Sequence, residues 1–358
     1  MTYKVIQWAT GGLASKAVAG IVGSPELQLV GAWVHSEAKD GRDVGEICGV
    51  GPIGVQGTRD KDALLAMDAD AVCYMAGRTW RADPMATVHE LARILRAGKN
   101  VVNCTWPSLV YPQGISAEVH DILQAACEEG GTSLFTSGID PGQGSTGLAL
   151  TALSMTSEVH SVRTFEIMNY ANWDAPEMIT WFGFGQPDPE KCALLHPGVT
   201  SNIFRSSIEL LAGALGVVVG ELTEDHELIY ADEAFEVARV PIPVGTISGA
   251  CFEVKGMVNG EPTIIVEHVT RLRDQDFADK GMPGGGYRAI VVGEPHISLD
   301  LHLSSDYGDI THAGYVACAM AAVNAIPQVC AAAPGVLTMR DLRPYVSRNV
   351  RPGGRPLP

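Results

Sequence analysis

The sequence predicts a two-domain α/β protein. Three observations carry that expectation: a length of 358 residues, a strand–helix rhythm before residue 138, and a change to alternating strand patterns after residue 147. A chain of this length exceeds one ordinary core and divides into domains of roughly 100–200 residues each. The division expected is residues 1–145 as a nucleotide-binding domain, 146–310 as a substrate and dimerisation domain, and 311–358 as a C-terminal helix and tail returning to the first domain.

In the first part, residues 5–9 read as a strand, 13–22 as a helix stopped by Gly23 and Pro25, and 28–35 as a second strand. A short strand at 55–57 precedes a helical DKDALLAM segment. Strand 71–76, an amphipathic helix 84–97 closed by Gly98, strand 100–104, helix 117–129 and strand 133–136 complete the series. These strands are continuous apolar runs, the pattern of a parallel sheet covered on both faces.

After the GIDPGQGSTG segment at 138–147, a helix at 148–155 leads into strand-like runs at 162–168, 252–258, 263–269, 287–292 and 296–303. Asn259-Gly260 and Glu294-Pro295 are hairpin-type turns, and residues 201–215 read as a helix. An α+β layer with a mixed sheet follows. The helix at 311–325 is apolar almost all round, so it must be buried, and the tail VRPGGRPLP is expected to fray.

Composition narrows the function. Hydrophobic residues make up 46% and charged residues 18%, a globular mix, and 40 glycines favour tight turns and close backbone approaches to ligands. A net charge of −16 opposes binding to nucleic acid or to anionic membranes. No charged leader followed by an apolar stretch precedes the first strand, and no uninterrupted apolar run suits a membrane span. None of the eight cysteines has CxxC spacing, so buried thiols in a reducing cytoplasm are expected. No HExxH, Cys/His cluster, GxSxG elbow or P-loop is present, so neither a metal nor hydrolase or kinase chemistry is expected.

The strongest chemical signal is VIQWATGGLASKAV, a strand, a glycine turn and a helix start. In the Rossmann template G-x-G-x-x-G/A, Ala9 takes the first position, Gly11 the second and Ala14 the third. The backbone of Thr10, Gly11, Gly12, Leu13 and Ala14 is then expected to hold a dinucleotide diphosphate at the positive helix end. A site for NAD carries an acid at the tip of the second strand. Here His35 and Ser36 stand there, with Lys39 and Arg42 behind, which suits a 2′-phosphate and predicts NADP, or both NADP and NAD. Lys39 and Arg42 as plain solvated loop charges is the alternative. Ala76, Gly77 and Arg78 after the fourth strand, and Cys104, Thr105 and Trp106 after the fifth, are expected to flank the nicotinamide ribose.

Taken together, WATGGLA, GRDVGEICG at 41–49, SLVYP at 108–112, GIDPG at 138–142, WFGFG at 181–185 and NAIPQVCAAAPGVLTMRDL at 324–342 give the chain a family resemblance. It resembles the dihydrodipicolinate-reductase-like oxidoreductases, within them the branch of 2,4-diaminopentanoate dehydrogenase and native amine dehydrogenases. The resemblance implies hydride transfer between a nicotinamide and a C=N or C=O bond, a small carbonyl or amine substrate, and a homodimer. Two departures stand out. The amine dehydrogenases carry a Glu before the LxYP segment, where this chain has Trp106, Pro107 and Ser108. The dihydrodipicolinate reductases carry a His pair, where this chain has Met168-Asn169-Tyr170-Ala171-Asn172-Trp173. The proton donor must therefore be sought elsewhere.

Carbonyl or imine reduction needs a proton source within hydrogen-bond reach and a dry pocket. Tyr170 is the candidate donor, with Asn169 and Asp140 beside it as catalytic candidates. Asn172, Trp173, Trp181, Phe182 and Phe184 are candidate pocket residues, though the aromatics serve equally as domain core. Asp140 in an Asp-Pro pair also reads as a turn former. For His196, His268, His302 and His312 a satisfied structural role is the simpler expectation. Three functions remain open: amine-forming reduction, aldehyde or ketone reduction without ammonia, and NAD(P) sensing without turnover.

Overall fold

The computed structural model describes residues 2–77, 83–173 and 176–351. They divide into two compact units, 1–138 with 315–358, and 139–314.

The first unit is built on a parallel sheet. Its strands are β1 (Tyr3–Trp8), β2 (Leu27–Trp33), β3 (Gly57–Thr58), β4 (Ala71–Tyr74), β5 (Asn100–Asn103), β6 (Ser133–Thr136) and a C-terminal strand, Gly335–Leu337. The order runs C-terminal strand, β6, β5, β4, β1, β2, β3. Alternation along β1 divides the core. Val5 packs with Ala14, Ala17, Val18 and Ile21 of α1 (Gly12–Gly23), while Ile6 and Trp8 pack on the opposite face. That opposite face is covered by α4 (Pro84–Arg96) and α5 (Ala117–Gly130), which follow the shorter α2 (Val44–Cys48) and α3 (Lys61–Ala66). Helix α4 starts where Asp83 accepts from the Ala86 N–H at 2.9 Å and Pro84 presets the first turn. Helix α5 begins at Ser116, which caps Val119 N, and ends at Gly131 in the left-handed region at φ 65°.

The apolar C-terminal stretch folds as two helices, Ile310–Val323 and Ile326–Ala331, rather than the single helix expected at 311–325. The second starts with Pro327 in its first turn, the position proline tolerates best. Together they are long and apolar enough to cross a membrane by length and composition. However, Ala319, Ala322, Val323, Ile326 and Val329 are buried in the α1-side core of the first unit, which accounts for that apolarity.

The second unit carries a six-stranded sheet: β7 (Glu158–Asn169), β8 (Leu222–Tyr230), β11 (Ile247–Val258), β12 (Glu261–Arg271), β13 (Gly285–Glu294) and β14 (Ile297–Leu301). A separate ribbon pairs β9 (Phe235–Val237) with β10 (Val240–Ile242). The sheet order is β14-β13-β7-β12-β11-β8, and it is mixed because β7 and β12 run parallel while the other pairs are antiparallel. Two helices, α6 (Leu148–Leu153) and α8 (Val199–Leu215), cover the face bearing Val162, Val254, Ile264, Val266, Ala289 and Val291. Between them in sequence lies α7 (Pro176–Trp181). On the other face Arg271, 1% exposed, donates to the carbonyls of Asp276, Phe277, Gly281 and Met282 at 2.6–3.3 Å, and so fastens the loop before β13.

Elements absent from the sequence expectation have physical reasons to hide. Strand β8, LTEDHELIY, is a charged edge strand. Helix α2 and the C-terminal strand are too short to show periodicity. The strand expected at 55–57 is displaced to Gly57–Thr58.

Candidate active site

The glycine turn of the first unit has the geometry a diphosphate needs. Gly11 precedes α1 at φ −81°, ψ −173°, and no side chain caps the helix start. A Cβ on Gly11 would meet nothing within 4 Å, so the space over the turn is open. Gly12 is exposed, Leu13 half-buried, and Ala14 buried against the sheet, as close helix–strand packing requires. Ala9, at the first template position, adopts φ 80°. That left-handed conformation is the one glycine serves there, and alanine holds it under strain.

Lys39 comes back onto this turn. Its Nζ donates to the Thr10 carbonyl at 3.0 Å and lies 3.2 Å from Thr10 Oγ1. Of the other residues expected there, His35 is exposed with its ring 5.9 Å from that of Trp33, Ser36 precedes a single helical turn at Glu37–Lys39, and Arg42 is exposed. Ala76 is buried and Gly77 half-buried, while Arg78 lies outside the described residues. Cys104 is buried 3.6 Å from the Met75 sulfur, and Thr105 donates to Asn103 Oδ1 at 3.1 Å. Trp106 is 5% exposed in the α4–α5 core, so packing is what its position shows.

The second unit holds a buried cluster that strand register assembles. Glu166 on β7 pairs with His268 on β12 and with Tyr287 on β13, so three neighbouring strands place the three side chains in one row. Their parity with Val162, Ile264 and Ala289 puts them on the helix-covered face. His268 Nε2 lies 2.8 Å from Glu166 Oε1, and its Nδ1 lies 2.8 Å from Thr270 Oγ1. The Tyr170 hydroxyl donates to the same Glu166 oxygen at 2.5 Å, and the Tyr287 hydroxyl also bonds Glu166. Phe204 of α8 packs against the imidazole with ring centres 5.8 Å apart.

Asp140 joins the row from the loop after β6. The ligand-type atoms of Asp140, Glu166 and His268 all lie within 4.8 Å of one another. The two carboxyls are driven apart. Burial pushes Asp140 up to about 6, helped by the negative charge of Glu166 and opposed by His268 and Ser145. Burial acts on Glu166 in the same sense, but His268 and the hydroxyls of Tyr170 and Tyr287 outweigh it and hold Glu166 below its ordinary value. Burial works against charge on His268, yet Glu166 and Asp140 raise its pKa. Burial and the Glu166 charge keep the Tyr170 phenol protonated well above its ordinary range. The two carboxyls are thus pushed in opposite directions by their surroundings.

The other sequence candidates divide. Asn169 is taken up by its neighbours: its Nδ2 donates to the Asp274 carboxylate at 2.9 Å and its Oδ1 accepts from Ala171 N at 2.9 Å. Asn172 is exposed. Tyr170 stacks near Trp173 at 4.9 Å and Phe182 at 5.4 Å, and Phe182 packs on Phe184 at 6.1 Å and Trp181 at 5.7 Å. Phe182 and Phe184 are buried core, and Trp181 is 41% exposed. Glu166 and Tyr287 were missed by sequence reasoning, and His268 was passed over. A signal existed: in strands 162–168 and 264–270 the Glu and the His occupy the inward phase of the alternation, where a charge demands a partner.

Residues 148–349 match the family described as the 2,4-diaminopentanoate dehydrogenase C-terminal domain. An amine dehydrogenase of Streptomyces virginiae is 33% identical over 96% of this chain and 97% of its own length. The 2,4-diaminopentanoate dehydrogenase of Acetoanaerobium sticklandii is 26% identical over 65% of this chain and 64% of its own. Among solved structures, an amine dehydrogenase from Mycobacterium smegmatis superposes with a TM-score of 0.78 at 21% identity, covering 98% of both chains, a likeness of fold.

Proposed function

This chain belongs to the family of 2,4-diaminopentanoate dehydrogenase and the amine dehydrogenases, and from that premise we propose that it interconverts ketones and primary amines with NADP as the preferred nicotinamide. It is an NAD(P)-dependent oxidoreductase. The finer reading rests on one observation above the rest: Asp140, Glu166 and His268 gathered within 4.8 Å of one another, the two carboxyls pushed in opposite directions.

The residues of the glycine turn fit the cofactor. Open space over Gly11 and the uncapped start of α1 suit the diphosphate, with Thr10, Gly12, Leu13 and Ala14 completing the turn. When bound, the nicotinamide supplies or accepts the hydride. The Lys39 ammonium, already seated on Thr10, supports a 2′-phosphate partner and hence NADP over NAD.

The chain's own residues handle the proton. Asp140, with its pKa raised to about 6, is matched to general acid/base work near neutral pH. Glu166 stays ionised and holds His268 and Tyr170 in place. Tyr170, Trp173 and Phe182 offer an apolar aromatic wall beside the cluster, which favours a carbonyl with an apolar substituent. A homodimer in the cytoplasm completes the reading. It draws on the family resemblance for the dimer, and for the cytoplasm on the eight cysteines, all of which are free thiols.

The test is NADPH absorbance against a panel of apolar ketones, with and without ammonium. Ammonium-dependent oxidation of NADPH is expected. Equal rates without ammonium would replace the reading with a simple carbonyl reductase. Cofactor binding with no oxidation on any carbonyl would defeat it.

A further inference from the structure

We propose that Asp140, Glu166 and Ser145 form the binding site for the nitrogen donor, an ammonium ion or the amine nitrogen of the product. This rests on the amine dehydrogenase reading and assigns it a nitrogen site where the branch's Glu is missing. Trp106, Pro107 and Ser108 offer no carboxylate at that place.

Charge selects the ligand. With Asp140 and Glu166 ionised and His268 protonated, the cluster carries one net negative charge in buried surroundings, which a monocation neutralises. The proton on His268 Nε2 is already committed to Glu166 at 2.8 Å, so that nitrogen has no lone pair for a metal. Acceptors, by contrast, are in supply. Glu166 Oε1 takes Tyr170 and His268, whereas Asp140 has two oxygens to offer. Atoms within 4.8 Å of one another leave hydrogen-bond reach to a central donor, whose N···O distances run near 2.9 Å.

A second observation points the same way. Ser145 is 2% exposed, and apart from its approach to Asp140 its Oγ makes no well-aligned hydrogen bond in the chain. It lies close enough to Asp140 to favour the ionised carboxyl. A buried hydroxyl satisfied this poorly is costly unless a ligand completes it. It is carried on a single π-type turn, Gln143–Gly147, an irregularity that recurs at functional sites.

The chemistry balances. Bound ammonium gives one proton to the Asp140 carboxylate and becomes ammonia. Its nitrogen lone pair forms the C–N bond at the ketone carbon, and the carbonyl oxygen, taking up the Asp140 proton and one from the nitrogen, leaves as water. Hydride addition to the resulting iminium carbon leaves a neutral amine, which then takes up one solvent proton. Net, ketone, ammonium, reduced cofactor and a proton give alkylammonium, oxidised cofactor and water.

The experiment measures the ammonium KM with one apolar ketone, and in parallel the reduction of a preformed cyclic imine, 2-methyl-1-pyrroline, which needs no ammonium. Ser145→Ala is expected to raise the ammonium KM about tenfold and Asp140→Asn by more, from the loss of charged hydrogen bonds, while the imine KM of Ser145→Ala moves far less. As a readout free of turnover, ammonium chloride is expected to raise Tm above equal tetramethylammonium chloride in the wild type, and not in Ser145→Ala. Unchanged ammonium KM in both variants with amination intact overturns the nitrogen site alone. Wild-type protein that oxidises NADPH with neither ketone nor imine overturns the underlying reading as well.

Discussion

His268 Nε2 stands 2.8 Å from Glu166 Oε1 on the next strand, a buried ion pair set by the register of β7 and β12. Its contribution to stability follows from the two pKa directions. Glu166 is lowered, so its share is present above its ordinary 4.5 and is lost as pH falls through the folded value. His268 is raised, so its share is full below its ordinary 6.5 and is lost as pH rises through the folded value. Removing one member of a buried pair costs about 3–5 kcal/mol. Urea unfolding of wild type against Glu166→Gln is therefore expected to show its largest difference near pH 5–6. An equal difference at pH 9 would contradict the pairing.

Asp140 is expected to trade stability for activity. Its pKa is raised from 3.8 to about 6, so the fold tolerates its charge poorly above that pH. The shift corresponds to on the order of 2–3 kcal/mol. Asp140→Asn should unfold at a higher temperature than wild type at pH 8 and show no gain at pH 3.5. In the same variant the limb near pH 6 in kcat/KM should disappear, along with a fall in rate of about a hundredfold or more. A wild-type limb retained in the variant would remove Asp140 from proton transfer.

The glycine turn separates folding from binding. Gly11 has ordinary extended backbone and open space where a side chain would go. Gly11→Val should keep its Tm yet weaken NADPH binding by about a hundredfold, because the added methyls occupy the place of the diphosphate. Ala9, at φ 80°, predicts the reverse. Ala9→Gly should raise stability by about 0.5–1 kcal/mol with cofactor affinity within a few-fold. Calorimetric titration and thermal melting of both variants check the pair.

The proposed preference for NADP rests on Lys39. Lys39→Ala should raise the Kd of NADPH about tenfold or more, the worth of a charged phosphate contact, and leave NADH nearly unchanged. Equal losses for both cofactors would mean that Lys39 acts through Thr10 and the shape of the turn.

Much of this was legible in the sequence. Apolar runs and helix caps announced the parallel sheet, because a strand buried on both faces has no choice but continuous hydrophobicity. The glycine turn before α1 was legible because glycine positions and a helix start are local. The buried polar cluster was not, since Glu166, His268 and Tyr287 become neighbours only through strand register across more than a hundred residues. Tyr170 and Asp140 were recognisable as chemistry but not as partners. Asn169 carried the right functional group and is spent on Asp274 and the Ala171 backbone.

The strand Gly335–Leu337 that borders β6 arrives late, and Ser133 Oγ waits 200 residues for the Ala333 carbonyl it binds. During synthesis the intervening unit leaves the ribosome first. The nascent N-terminal sheet therefore spends that interval with one edge bare and its α1-side core lacking Ala319, Ala322 and Ile326. A premature stop between residues 314 and 335 would thus damage the half of the protein made earliest, so quality control should read the N-terminal unit of such fragments as unfinished.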